Sequence, residues 1–161
     1  MQFEKLVVEV GACLVKNNAI IVTAESCTGG MIAEALTSIA GSTAWFDRAY
    51  ITYSYESKKE MLGVRERTIQ NKGAVSQACV EEMALGALQQ SHAKVSVACT
   101  GIAGPDGGSP GKPVGTVWIA WAVQGQEDVV SQRFLFEGDR RAVREKTTQA
   151  ALMGVMKILA K

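Results

Sequence analysis

Short runs of β-branched and small apolar residues alternate along this chain with stretches of helical period, and few architectures accept that alternation. Residues 19–23 (AIIVT) are a short β-branched run typical of a buried strand, and 95–99 (VSVAC) read as another. Residues 45–53 read as a further strand. Phe3, Leu6, Val7, Val10, Leu14 and Val15 recur at helical spacing, which predicts an amphipathic helix over 3–16, ended by the Asn17-Asn18 turn signal. Helices are predicted likewise over 31–39, over 56–62 with Gly63 as the stop, over 76–90 with Ser76 as N-cap, and over 139–159. Residues 114–123 and 129–136 read as two strands joined by a turn around Gly125, a hairpin. The expected fold is α/β: a three-layer α/β/α sandwich around a mixed, mostly parallel sheet of about five strands. With 161 residues and no repeat, linker or low-complexity tract, the chain reads as a single domain spanning 1–161.

Composition excludes several classes of function. The formal net charge is +1, and the basic residues are scattered apart from Arg140, Arg141, Arg144 and Lys146, so no nucleic-acid partner is expected. Four cysteines (Cys13, Cys27, Cys79, Cys99) form no C-x-x-C pair and only one histidine, His92, is present; no metal site is expected. A chain of this length builds a core without disulfides, so the thiols read as free in a reducing compartment. No apolar stretch approaches a membrane span, and Glu4, Lys5 and Glu9 interrupt what would otherwise be a signal peptide. The expectation is a soluble, cytoplasmic protein that meets no membrane. A homodimer is the expected assembly, because closed symmetric dimers are the commonest.

Two polar loops follow predicted strands, and in open α/β sheets ligands bind beyond the carboxyl ends of the strands. The first is Glu25-Ser26-Cys27-Thr28-Gly29-Gly30. Ser26 there is either a nucleophile facing a pocket, with backbone N–H groups near Thr28, Gly29 and Gly30 as oxyanion donors, or a helix cap, as Thr28 also is. The second, residues 100–113, is rich in Gly and Pro and suits either a ligand cradle or a plain surface loop; Pro113 after Gly111-Lys112 rules out a Walker A motif. A serine nucleophile needs a base. His92 falls at a helix end, and Ser91-x-x-Lys94 crosses a helix-to-strand junction. Lys58 and Lys59 follow the second strand, and a lysine kept neutral by burial is the other route. Spacing alone does not choose among these.

The motifs do resemble a known family. Residues 23–30 (TAESCTGG), Tyr53-Ser54 with Lys58 downstream, residues 73–76 (GAVS), 100–105 (TGIAGP), 112–117 (KPVGTV) and 138–140 (GDR) are similar, in order, to the signatures of the CinA C-terminal family, and they span nearly the whole chain. The resemblance implies a stand-alone form of that domain, and hydrolysis of the carboxamide of nicotinamide mononucleotide to nicotinic acid mononucleotide and ammonia, in pyridine nucleotide salvage, with no metal or organic cofactor. It implies Ser26 as nucleophile, Lys58 as general base and Tyr53 as an aid to proton transfer or positioning. Thr28, Gly29, Gly30, Thr100, Gly101, Gly104 and Arg140 are implied around the substrate, with Arg140 suited to its phosphate. The alternative is a catalytically silent pyridine-nucleotide-binding regulatory module. Tyr55 departs from the Asn common in the family, which bears on substrate preference.

Overall fold

The computed structural model describes residues 2–161. Its elements run α1 (Glu4–Lys16), β1 (Ile21–Glu25), α2 (Met31–Thr37), a 3₁₀ turn (Ser42–Ala44), β2 (Phe46–Ile51), α3 (Tyr55–Leu62), α4 (Glu66–Lys72), α5 (Gln77–Gln89), β3 (Val95–Gly101), β4 (Thr116–Val123), β5 (Val130–Leu135) and α6 (Arg140–Leu159). One sheet has the order β2-β1-β3-β4-β5, with β2, β1 and β3 mutually parallel and β4 reversed between β3 and β5. The mixed α/β/α sandwich expected from the sequence is the observed fold. Two details differ from the sequence reading. β1 is displaced toward its carboxyl end and takes in Glu25, and α4 was not foreseen. In α4, Thr68 is the only buried residue, which is too few to make an apolar stripe.

The two faces of the sheet are built differently. Ile21, Val95, Val97, Ile119 and Trp121 meet α1, α2 and α6 through Val7, Val10, Leu14, Ile32, Leu36, Leu152 and Val155. The opposite face is made of Val22, Ala24, Ala98, Ala120 and Ala122, and α5 lies on it through Val80, Met83, Ala84 and Ala87. Small side chains there let α5 come close, and Ser96 Oγ donates to Ala84 O at 2.8 Å across that contact. α5 in turn holds α3. A Cβ on Gly86 would lie 1.9 Å from Leu62 O, so only glycine permits this spacing. No helix among the described residues is long and apolar enough to cross a membrane.

Strand order positions the site. From β1 the chain passes through α2 to β2 on one side, and from β2 through α3, α4 and α5 back to β3 on the other. β1 therefore sits where the connections diverge, and a crevice opens at the shared carboxyl end of β1, β2 and β3.

Candidate active site

Three segments leave the sheet at that end: residues 26–30 after β1, residues 52–54 after β2, and the loop after β3. Glu25 is the last residue of β1 and is wholly buried. Its Oε1 accepts from Thr28 Oγ1 (2.7 Å), Gly30 N (3.2 Å) and Ile32 N (2.9 Å), and its Oε2 from Thr23 Oγ1 (3.1 Å) and Ala33 N (2.9 Å). Glu25, rather than Ser26 or Thr28, thus satisfies the free amides at the start of α2. A carboxylate is suited to that end of a helix, where the peptide dipoles present positive charge. Arg144, from α6, fixes the same turn by donating to Cys27 O (3.1 Å) and Thr28 O (3.0 Å).

This arrangement corrects one expectation. Thr28, Gly29 and Gly30 do not line the cavity at the crevice. Gly29 N donates to Ser26 O at 3.0 Å and Gly30 N to Glu25, while the Thr28 hydroxyl is held between Glu25 and Cys99 Sγ. The amides of Gly29 and Gly30 are therefore spent inside the turn and are not free to hold an oxyanion.

Ser26 is the first residue beyond β1, nearly buried, with its N–H on Cys99 O at 3.2 Å. Beside it lies Lys58, the largest fully buried side chain among the described residues. Lys58 stands one turn into α3, which starts at the N-cap Ser54, whose side chain accepts from Ser57 N. Side chains lean toward the amino end of a helix, which returns the Lys58 amine to the residues before α3. Lys58 Nζ is 2.6 Å from Thr52 O, 3.3 Å from Tyr53 O and 2.9 Å from Ser26 Oγ. Thr52 is itself tied to the end of β1, donating its N–H to Glu25 O at 2.8 Å. Among the described residues no carboxylate pairs with Lys58. Burial without a counter-charge pushes its pKa below the ordinary lysine value.

A cavity of about 400 Å³ opens over Ser26 and Lys58. Tyr53, Thr100, Gly101, Gly104 and Arg140 also line it, so these five expected residues share one cavity with Ser26 and Lys58. Thr100 is buried and donates to Ala74 O at 2.9 Å. Gly101 passes so close to β4 that a Cβ would meet Val117 Cγ2 at 2.7 Å. Arg140 makes neither ion pair open to it with Asp139 or Glu137; it donates from Nη1 to Gly104 O (2.9 Å) and from Nη2 to Tyr53 Oη (3.0 Å), bridging the loops after β3 and β2. Tyr55 lies in the wall and is exposed. Cys27 also reaches the cavity, but its hydrogen bond to Cys99, together with burial, raises its thiol pKa well above the usual value, the opposite of an activated nucleophile. His92 and Lys94 lie just before β3, at the other end of the sheet from Ser26, so neither serves as its base. No group of three or more His, Cys, Asp or Glu among the described residues is arranged to hold a metal ion.

The sequence reading missed Glu25, Arg144 and the loop residue Lys112, which also lines the cavity. Glu25 carried a signal: it directly continues an apolar strand, where a charge is buried only if it has partners. Arg140 and Arg144 stand four residues apart on α6 and so share a face, which the basic cluster already contained.

Known proteins resemble this chain over nearly its full length. The family model described as the CinA C-terminal domain matches residues 3–159. The nicotinamide-nucleotide amidohydrolase PncC of Escherichia coli (strain K12) is 53% identical over 144 residues, covering 89% of this chain and 87% of that protein. The protein of the same name from Pseudomonas putida is 52% identical over 153 residues, covering 95% and 94%. Among solved structures, the competence/damage inducible protein CihA from Agrobacterium tumefaciens superposes with a TM-score of 0.95 at 40% identity, over 100% of this chain and 97% of that one.

Proposed function

The chain belongs to the CinA C-terminal domain family, and on that footing we propose that it is a nicotinamide-nucleotide amidase, hydrolysing the carboxamide of nicotinamide mononucleotide to nicotinic acid mononucleotide and ammonia. Ser26 is the nucleophile and Lys58 its base. The observation that carries this reading is the three-way setting of Lys58 Nζ. A neutral amine has two N–H donors and one lone pair; Thr52 O and Tyr53 O take the two donors, which leaves the lone pair for the Ser26 hydroxyl proton. Burial supports the neutral form, since an unpaired ammonium out of water costs several kcal/mol.

Ser26 Oγ attacks the carboxamide carbon while its proton passes to Lys58 Nζ. The tetrahedral intermediate collapses as Lys58 returns that proton to the departing nitrogen, and ammonia leaves. Water then attacks the acyl-serine ester, Lys58 taking its proton and restoring it to Ser26 Oγ as the acid is released. Tyr53 is a positioning residue: its carbonyl orients the amine and its hydroxyl joins Arg140 at the cavity mouth. Arg140 meets the substrate phosphate, and Thr100, Gly101 and Gly104 shape the wall. The unpaired thiols suit a reducing cytoplasm.

Ammonia release from nicotinamide mononucleotide by wild type and Ser26→Ala tests the assignment. The variant is expected to lose at least ~100-fold in kcat, because the covalent route needs the hydroxyl. Equal turnover by both proteins would remove Ser26 from the mechanism, and binding without turnover by the wild type would favour a regulatory module.

A further inference from the structure

We infer that Lys112 is a specificity-determining residue that recognises the phosphate of the substrate; the inference rests on the amidase reading above. Lys112 lines the same cavity as Ser26, Lys58 and Arg140. Among the described residues its ammonium hydrogen-bonds only to Lys72 O, a neutral carbonyl, at 2.9 Å. An ammonium has three N–H donors, so two remain for a ligand. Among the described residues no carboxylate lies within 4.0 Å of Lys112 or of Arg140. Asp106 lines the cavity as well, without reaching either cation.

The surroundings hold the ammonium in place. The 109–112 turn is closed by reciprocal bonds, Ser109 N to Lys112 O and Lys112 N to Ser109 O, both 3.0 Å, and Arg133 Nη2 braces it on Gly111 O at 2.8 Å. The ammonium rests against Gly73, where a Cβ would stand 3.0 Å from Nζ; at φ +83° that position favours glycine in any case. Lys72 and Arg133 line the adjoining cleft, which shares Lys112, together with one carboxylate, Glu81. Arg140 already spends two N–H groups on Gly104 O and Tyr53 Oη. Two cations with only neutral partners in one cavity match a phosphate monoester, which carries about −1.5 to −2 charges near neutral pH. Nicotinamide riboside, a pyridinium cation without a phosphate, offers them no anion.

The test compares wild type, Lys112→Met and Lys112→Arg on nicotinamide mononucleotide and on nicotinamide riboside, with inorganic phosphate as a competitive inhibitor. Truncating a charge-assisted contact predicts a KM for the mononucleotide about 10–100-fold higher in Lys112→Met, with kcat within about threefold. The ratio of kcat/KM for the mononucleotide to that for the riboside falls at least ~10-fold, phosphate inhibition weakens by a similar factor, and Lys112→Arg retains most of both. Turnover of the mononucleotide with unchanged KM and unchanged phosphate inhibition in Lys112→Met would overturn this assignment alone, as would an equal loss on both substrates. A wild type that turns over no mononucleotide would overturn the amidase reading, and Lys112 with it.

Discussion

Glu25 holds together the turn that presents Ser26, and replacing it measures how much. Glu25→Gln keeps the shape, so packing is unchanged, but it exchanges one carboxylate oxygen for an NH₂. With the amide nitrogen in place of Oε2, Thr23 can turn its hydroxyl to accept, whereas the Ala33 N–H keeps no acceptor. An orphaned donor costs about 1–3 kcal/mol, and the three bonds left on Oε1, from Thr28, Gly30 and Ile32, each drop from a charge-assisted to a neutral value, a loss of about 0.5–1 kcal/mol apiece. The smaller desolvation of a neutral amide offsets part of this, leaving a destabilisation of about 3 kcal/mol. In a domain of this size about 2–4 °C of Tm follows each kcal/mol, so Tm should fall by about 9 °C. Thermal unfolding at neutral pH, checked by urea unfolding for an unchanged m-value, reads this directly. A Tm within about 2 °C of wild type would refute the idea that these five hydrogen bonds anchor the turn.

Gly86→Ala places a methyl group on the Leu62 carbonyl and forces α3 away from α5; a loss of about 3 kcal/mol by thermal unfolding is expected, with a drop in kcat because Lys58 rides on α3, and a neutral substitution would contradict the packing described. Arg140→Ala removes both the phosphate contact and the bridge from Gly104 to Tyr53, so KM for nicotinamide mononucleotide should rise at least ~10-fold; steady-state kinetics with an unchanged KM would exclude Arg140 from the binding site.

Much of this was legible in the sequence because periodicity reports burial. Residues 95–99 and 19–23 are short, mostly apolar runs, which led to buried strands, and the hairpin around Gly125 appears where the turn signal lies. The polar α4 gave no such pattern and was missed. Lys58 and Ser26 lie 32 residues apart, and no local pattern makes them neighbours. Strand order does that, because β1 and β2 run parallel and end together; the family resemblance supplied in advance what periodicity could not. The oxyanion reading of Gly29 and Gly30 failed for a related reason. Their amides were counted as free without Glu25, a partner that sequence spacing had put in a loop rather than at the end of a buried strand.

Titration of Lys58 itself decides whether it stands as a free amine beside Ser26. Selective ¹⁵N labelling of lysine, with Lys58→Met to assign the Nζ resonance, follows each amine through pH. Because burial lowers its pKa, Lys58 should lose its proton below the ordinary lysine value of ~10.4, and kcat/KM for nicotinamide mononucleotide should rise with pH through that same transition and then level off. A Lys58 resonance that titrates at or above the ordinary lysine value, or a rate that falls as Lys58 loses its proton, would contradict its role as the base.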